Sequence, residues 1–343
     1  MKQFMAYGLI NKKDKKQLEP VFDRYAATVP LSLAQAIKED VDGGPLARQY
    51  VPSGMEVISN PAERDDPIGD KTHSPVKGIV HRYPDRVLLM PSAICAVYCR
   101  FCFRREQVGP SVGLLTTLEL EAALNYIRTN TDIWEVIITG GDPFVLSPKR
   151  INGILEALDT IKHVAVVRFH TRVPVAKPEL ITPELLEVLK SSSKSIFVAI
   201  HCNHATELTN NAAIACALLA DEGIPLLGQS VLLKEVNDDP EILSDLFRTM
   251  VKHRIKPYYL HHPDLAPGTA HFRVTIERGR ELMKMLRGRL SGLCQPTYIL
   301  DIPGGHGKVP ISEDYLKRHT EAGDNYTYRI TDINGASHTY PLQ

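Results

Sequence analysis

The amino-acid sequence predicts an α/β fold of parallel strands and helical crossovers, in the form of a partial (β/α)6 barrel. First, short apolar or β-branched segments alternate with helical segments about six times between residues 86 and 289, which is typical of parallel sheets covered by helices. Second, the first four strand segments end at chemically rich stretches, where a parallel barrel places its functional groups. Third, six units fit a partial barrel better than a closed eightfold one. A doubly wound open sheet is the alternative that periodicity leaves open.

The individual elements follow from two periodicities. Strand segments are short apolar or β-branched runs, and they cover residues 86–90, 135–139, 164–169, 195–200, 225–233 and 255–260. Helical segments repeat apolar residues at helical spacing, and they cover residues 117–129, 148–161, 182–191, 210–222, 240–253 and 276–289. Because each predicted strand is followed by a predicted helix, neighbouring strands would run parallel.

The two ends of the chain lack this alternation. Residues 18–39 show a mixed helical pattern broken at Pro30, and residues 40–72 are rich in Pro, Gly, Asp and Arg, so residues 1–75 would form a cap of helices and loops. The barrel would cover residues 76–290. Residues 291–343 would be a C-terminal extension with a hairpin at 326–340, because Asn334-Gly335 is a strong turn signal between alternating runs.

The composition of the 343 residues is that of an ordinary soluble globular protein, with 43% hydrophobic and 23% charged residues. Lys plus Arg and Asp plus Glu both number 40, so no overall field favours nucleic acid or an anionic membrane. There is no secretory signal and no apolar run near the ~20 residues of a membrane span. Cys202, Cys216 and Cys294 are scattered, which does not indicate a disulfide framework. We therefore expect a protein of the reducing cytoplasm.

Three cysteines lie within eight residues, at Cys95, Cys99 and Cys102 in the segment CAVYCRFC. Thiolates are soft ligands suited to iron–sulfur clusters, and three of them can hold three irons of a four-iron cluster while the fourth iron stays open. The alternative is a structural zinc site. Such sites almost always have four ligands, often as two CxxC pairs, and the sequence has no second pair. The spacing therefore favours a [4Fe-4S] cluster.

Five motifs carry a resemblance to a known family. They are HRYPDR at 81–86, CAVYCRFCFRRE at 95–106, ITGGDP at 138–143, YYLHHPDL at 258–265 and DIPGGHGK at 301–308. In order and approximate spacing they resemble the lysine 2,3-aminomutase family, from about residue 67 to residue 310. The resemblance implies a TIM-like partial barrel of the radical S-adenosylmethionine (SAM) type, with a [4Fe-4S] cluster, SAM and pyridoxal 5′-phosphate (PLP) as cofactors.

The resemblance implies a SAM site assembled from several strand ends. Gly140 and Gly141 follow a predicted strand, and glycine allows the backbone to come close to a ligand. Asp142 would fix the glycine turn or accept a hydrogen bond from SAM. His201 and Gln229 match positions that line the SAM and PLP site. By itself, GGD indicates only a turn.

A PLP site is implied at both ends of the matched region. Lys308 in PGGHGK matches the family lysine that forms a Schiff base with PLP, and the glycines before it can adopt positive φ beside a cofactor. Taken alone, this segment is typical of a surface loop. Arg82 and Arg86 match arginines that bind the PLP phosphate. Their alternative role is a solvated pair that bridges to Asp85.

The substrate residues also come from the resemblance. Arg104 matches the residue that pairs with the substrate α-carboxylate, whereas its neighbour Arg105 is expected to be a surface charge. Asp264 and Asp301 match the pair that binds the side-chain ammonium in the lysine-specific branch. Two converging carboxylates repel one another unless a cation lies between them, so the pair predicts a cationic substrate. As an alternative, each aspartate could cap a turn.

The function implied is conversion of L-lysine to β-lysine by migration of the amino group from C2 to C3. Short relatives of similar size supply β-lysine for attachment to elongation factor P. The expected partners are a small amino acid substrate, an electron donor such as flavodoxin or ferredoxin, and possibly a second copy of the chain. The alternatives are a 2,3-aminomutase for another amino acid, a radical SAM enzyme without PLP, and a cluster-binding protein without catalysis.

Overall fold

A computed structural model describes residues 1–41, 43–312, 314–322, 325–332 and 334–340. Its described residues form two β-sheets. The strands of the large sheet lie in chain order, as β1 Ile79–Tyr83, β2 Arg86–Ser92, β3 Glu135–Gly140, β4 Val166–Thr171, β5 Ser195–His201, β6 Leu226–Val231, β7 Ile255–His261, β8 Thr297–Asp301 and β9 Lys308–Pro310. The small sheet consists of β10 Leu316–Ala322, β11 Asn325–Thr331 and β12 Ser337–Tyr340.

The large sheet is a half-barrel. Strands β2 to β8 are parallel, while β1 and β9 run antiparallel to their neighbours. Side chains from β1 to β9 line one common cavity, so the sheet curls around it. Within the described chain β1 and β9 are the two edges. The predicted partial barrel is confirmed. The doubly wound alternative is wrong, because the strand order has no reversal point.

Helices α1 to α4 precede the large sheet, and the later helices connect its strands. They are α1 Lys2–Ala6, α2 Lys15–Arg24, α3 Leu31–Glu39, α4 Pro45–Tyr50, α5 Thr117–Thr129, α6 Pro148–Asp159, α7 Val173–Ala176, α8 Pro183–Ser191, α9 Asn210–Asp221, α10 Pro240–Lys252 and α11 Ile276–Arg287. Strands β2 to β7 are followed in turn by α5, α6, α8, α9, α10 and α11, which gives the six predicted β/α units. Strand β8 was not predicted, because no helix follows it and the alternation ends there.

Local sequence signals explain where the barrel helices begin. Ser147, Thr182 and Asp239 each accept a backbone hydrogen bond as N-cap residues, and each is followed by proline at the first helical position. Helix α5 begins with a capping box between Thr116 and Glu119. The inward faces of these helices join the strands in one continuous apolar core.

The N-terminal residues form a separate apolar cluster that contacts the cysteine segment. Phe4, Leu33 and Tyr50 are buried in it together with Val97, and Cys99 packs against it. Pro30 lies just before α3, where the sequence predicted a break. The prediction of loop for residues 40–72 is wrong at α4, whose Pro45 is favourable at a helix start and therefore did not mark a loop.

Strands β11 and β12 pair antiparallel, as the hairpin prediction requires, and Gly335 between them has φ +87°. Its neighbour Ile333 lies outside the described residues. No helix among the described residues is long and apolar enough to cross a membrane.

Candidate active site

A cavity of about 530 Å³ lies inside the half-barrel. It collects every site residue that the sequence predicted, from segments as far apart in the chain as Arg82 and Lys308. These residues are Arg82, Arg86, Cys95, Cys99, Cys102, Arg104, Gly140, Gly141, Asp142, His201, Gln229, Asp264, Asp301 and Lys308. Their roles remain predictions, but their convergence on one cavity is a property of the structure.

The cysteine segment follows β2 and is held by backbone contacts with the N-terminal residues. The amide of Arg100 donates to the carbonyl of Gln49 at 2.8 Å, and the amide of Tyr98 donates to that of Thr28 at 3.4 Å. Burial raises the pKa of the Cys99 thiol to about 12. A buried thiolate here would therefore need a bound cation.

The three thiols line the cavity, and no three His, Cys, Asp or Glu side chains in the described residues are arranged to hold a single metal ion. In an iron–sulfur cluster each thiolate binds its own iron, so the thiols need not converge on one ion. The donor set therefore fits a cluster.

Buried acids neutralise the arginines around the cysteines. Arg104 Nε donates to Asp70 Oδ2 at 2.8 Å, and Arg82 Nη2 donates to Asp70 Oδ1 at 3.0 Å. Arg100 and Arg105 both pair with Glu56, which is 1% exposed. The expectation that Arg105 is a surface charge is wrong, because this carboxylate from the N-terminal region buries it to 5% exposure.

Gly140, the last residue of β3, and Gly141 after it lie against the end of β2 and the residues that lead into the cysteine segment. Gly140 has φ +109°, and a Cβ there would be 2.6 Å from the carbonyl oxygen of Ser92. A Cβ on Gly141 would be 2.3 Å from the carbonyl oxygen of Ile94. Any larger residue would push the cysteine segment away from β3.

The Asp142 carboxylate binds residues that end and follow β4, while both of its predicted roles stay predictions. Its carboxylate accepts from Thr171 Oγ1 at 2.6 Å, from the amide of Arg172 at 2.7 Å and from the amide of Phe144 at 3.1 Å. Burial raises the pKa of this carboxyl, and the hydrogen bonds oppose that shift. The turn therefore ties the ends of β3 and β4 together.

The acid pair and Lys308 form a second wall of the cavity, which is joined to the cysteine segment through Arg82, Asp70 and Arg104. Lys308 Nζ donates to Asp301 Oδ1 at 2.5 Å, and His261 Nδ1 lies 3.6 Å from Asp301 Oδ2. Burial alone would raise the pKa of Asp301, but the hydrogen bond to His261 and the charge of Lys308 lower it to about 2. Burial and then the charge of Asp301 raise the pKa of Asp264 to about 8. The pair therefore carries one negative charge near neutral pH.

The loop before β9 brings Lys308 to this position across the open side of the half-barrel. The amide of Lys308 donates to Tyr83 Oη on β1 at 2.8 Å, and His73 Nε2 contacts the carbonyl of Gly305 at 3.0 Å. Gly305 has φ +88°, and a Cβ on Gly69 would lie 2.6 Å from its amide nitrogen. Within the described lining, Lys308 supplies the sole primary amine. The residues present therefore fit an aldehyde cofactor.

Sequence comparisons agree with this arrangement. The sequence model of the radical SAM superfamily matches residues 89–246. The L-lysine 2,3-aminomutase of Clostridium subterminale is 40% identical over 272 residues, which cover 79% of this chain and 65% of that protein. The L-lysine 2,3-aminomutase of Methanococcus maripaludis is 38% identical over 307 residues, covering 89% of this chain and 71% of that protein. The chain belongs to the lysine 2,3-aminomutase family.

The family also includes relatives named for another amino acid. The glutamate 2,3-aminomutase of Clostridioides difficile is 35% identical over 308 residues, covering 90% of this chain and 72% of that protein. The chain spans 65% of the length of the Clostridium subterminale aminomutase. Membership of the aminomutase family therefore leaves the amino acid substrate to be argued from the cavity.

Arg86 forms the ion pair with Asp85 that the sequence indicates as the alternative to phosphate binding. Its Nη1 donates to Asp85 Oδ1 at 2.6 Å, and its guanidinium lies 3.9 Å from the centroid of the Tyr83 ring. Arg82 is more deeply engaged, with Asp70 and with the carbonyl of Ile68 at 2.6 Å. Phosphate binding by this pair therefore stays a prediction.

Several cavity residues were missed at the sequence level. The Nε2 atoms of His170 and His261 are buried and have no hydrogen-bond partner within the described residues. Burial lowers the pKa values of both imidazoles and of His201, so all three are neutral near pH 7. The position of His170 and His261 at the carboxyl ends of β4 and β7 was a usable signal in a parallel half-barrel, and it is the signal that His201 on β5 also carries.

Proposed function

We propose that this protein is a radical SAM, PLP-dependent aminomutase that moves the amino group of L-lysine from C2 to C3. The observation that carries the proposal is the shared cavity, where the three cysteines lie on one wall and Lys308 with two carboxylates lies on the other. When bound, the cluster and SAM would supply a carbon-centred radical, and PLP would supply a conjugated system that spreads an unpaired electron. The residues of the chain would bind these cofactors and orient the substrate.

Cys95, Cys99 and Cys102 would each bind one iron and leave the fourth for SAM. The backbone at Gly140 and Gly141 would lie next to that iron, because it already contacts the cysteine segment. His201 and Gln229, on neighbouring strands at paired positions, would line the space between SAM and PLP. These contacts fix the radical source at the carboxyl ends of the strands.

Lys308 would hold PLP covalently, and its backbone contact with Tyr83 would fix its direction. Arg82 and Arg86 would bind the phosphate, which suits guanidinium groups. For Arg86 this requires release of Asp85, an ion pair at a partly exposed position that costs little to break. The cofactor would then lie across the opening between β1 and β9.

Arg104 would bind the substrate carboxylate. Its Nε is held by Asp70, and its two terminal nitrogens form no hydrogen bond within the described residues. A fixed guanidinium with two free terminal nitrogens can bind a carboxylate through parallel hydrogen bonds. The substrate would therefore be oriented from its α-carbon end.

Asp264 and Asp301 would select the other end of the substrate. Their combined charge attracts an ammonium and repels the side-chain carboxylate of glutamate. Desolvated like charges cost several kcal/mol in such a site. The charge of the acid pair therefore favours lysine over glutamate as the substrate.

The test is anaerobic reconstitution with iron, sulfide, SAM and PLP, followed by product analysis over lysine, ornithine, arginine and glutamate. We expect β-lysine as the main product, no bound iron in Cys99→Ala, and full iron content in the matched control Cys294→Ala. Lys308→Ala should keep the iron but lose borohydride-fixed pyridoxal and turnover. Rearrangement of glutamate but not lysine would contradict the substrate assignment.

The location of the enzyme, its electron donor and the use of its product are also proposed. A cluster that oxygen destroys fits a cytoplasmic location, and a flavodoxin or ferredoxin would supply its electron. The β-lysine would serve for modification of elongation factor P, and the enzyme would be a homo-oligomer. Loss of the β-lysyl mass from elongation factor P in cells without this protein would support that destination, and an unchanged mass would contradict it.

A further inference from the structure

The contact between Lys308 and Asp301 is set by the backbone. The two residues are directly paired in the antiparallel register of β8 and β9, so their side chains are neighbours on one face of the sheet. The Nζ–Oδ1 distance is 2.5 Å, and the Asp301 side chain is 5% exposed. The ammonium of Lys308 is therefore held inside the cavity beside the acid pair.

The ammonium of Lys308 is the same chemical group that the acid pair is expected to bind in the substrate. Lys308 and a lysine substrate end in the same four-carbon alkylammonium. Asp264 has no hydrogen bond within the described residues, and the charges that act on it are those of Asp301, Lys308, Arg104 and Asp70. The pair carries one negative charge, Lys308 carries one positive charge, and Arg82 Nη1 lies 3.7 Å from Asp301 Oδ1. A second ammonium would therefore gain little attraction here.

Attachment of PLP to Lys308 would change the charge available to the acid pair. Linking Lys308 to the PLP aldehyde replaces the aldehyde oxygen with the lysine nitrogen and releases water. The nitrogen would then keep at most one N–H instead of three, so Lys308 could no longer offer Asp301 an ammonium. Asp301 loses its closest partner, and the acid pair is left to bind another cation.

We propose that Lys308 occupies the acid pair in the PLP-free protein, so that the pair accepts a cationic substrate only after PLP has been attached. This inference rests on the proposed function and adds an order to it, with PLP before amino acid. It also predicts that the PLP-free protein binds free lysine weakly.

The experiment compares the PLP-free full-length protein with its Lys308→Met and Lys308→Arg variants, using ligand-observed NMR with L-lysine as the probe. L-Norleucine, which lacks the side-chain ammonium, is the control ligand. We expect Lys308→Met to bind L-lysine at least ~10-fold more tightly than the wild type, because a charged hydrogen-bonded competitor is gone. Lys308→Arg keeps the cation and should bind as weakly as the wild type, and norleucine should not distinguish the variants.

Equal affinity of wild type and Lys308→Met for L-lysine, including absence of binding to both, would overturn the inference. An equal gain for norleucine would also overturn it, because the cause would be space instead of charge. Circular dichroism melting checks each fold, and Lys308→Gln replaces Lys308→Met if the latter unfolds. Borohydride trapping of PLP on wild-type Lys308 tests the proposed function separately, because the NMR comparison uses no PLP.

Discussion

The two walls of the cavity balance their charges in different ways. On the cysteine wall, residues 95–105, Arg100, Arg104 and Arg105 each have a buried carboxylate partner from the N-terminal residues. On the acid wall, made of Asp264, Asp301, Lys308 and His261, Asp301 pairs with Lys308 and Arg82, whereas Asp264 forms no ion pair within the described residues. The difference indicates that the cysteine wall is fixed before any ligand binds, whereas the acid wall depends on what occupies it.

The largest expected effect comes from breaking the cysteine wall. Glu56→Gln leaves Arg100 and Arg105 buried without a full counter-charge, so we expect a loss of about 3–5 kcal/mol in the free energy of unfolding. Urea unfolding measures this loss. Glu241→Gln, which removes a pair between exposed side chains, is the control and should change little. A small effect of Glu56→Gln would mean that the cysteine wall is not held by its buried acids.

A second substitution tests the contact of the cysteine wall with β3. Gly141→Ala places a methyl group 2.3 Å from the carbonyl oxygen of Ile94, so we expect a loss of about 1–3 kcal/mol and poorer iron retention after reconstitution. Gly153→Ala in α6 is the matched control, since a Cβ there meets nothing within 4 Å. That control should gain up to ~1 kcal/mol from helix propensity. Equal stability of the two variants would contradict the close packing.

The acid wall predicts a pH effect. The pKa of Asp264 rises from 3.8 to about 8 on folding, so between these values the folded protein holds a proton that the unfolded chain releases. Its contribution to stability is therefore lost as pH rises through about 8. Relative to Asp264→Asn, the wild type should lose up to ~1.4 kcal/mol per pH unit between about pH 5 and pH 8, and nothing further above that. Parallel stability curves for the two proteins would show that Asp264 is not perturbed.

The smallest effect concerns the direction of Lys308. Tyr83→Phe removes the hydroxyl that accepts the Lys308 amide at 2.8 Å, and we expect a loss of about 0.5–1.5 kcal/mol. It should also slow borohydride-trapped PLP attachment. Tyr340→Phe, at an exposed position, is the control and should match the wild type in both measurements. Unchanged attachment in Tyr83→Phe would remove Tyr83 from the positioning of Lys308.

The sequence was most informative where chemistry is local. The alternation of strands and helices is a short-range pattern, and it predicts the six β/α units of the half-barrel. The spacing of Cys95, Cys99 and Cys102 is also short-range, and it indicates that the three thiols lie together beside the cavity. Asp70 and Glu56 could not be found in this way, because each pairs with arginines that lie 12 to 49 residues away and has no motif of its own. Arg105 was misjudged for the same reason. Strand β8 was missed because its signal depended on a following helix.

The most direct test of the account follows the nitrogen itself. Reconstituted protein is incubated anaerobically with SAM, PLP and L-lysine that carries ¹⁵N in its α-amino group, and the product is examined by ¹³C and ¹⁵N NMR. The account predicts β-lysine with the label bonded to C3. Cleavage of SAM while the label stays on C2 of lysine would contradict it.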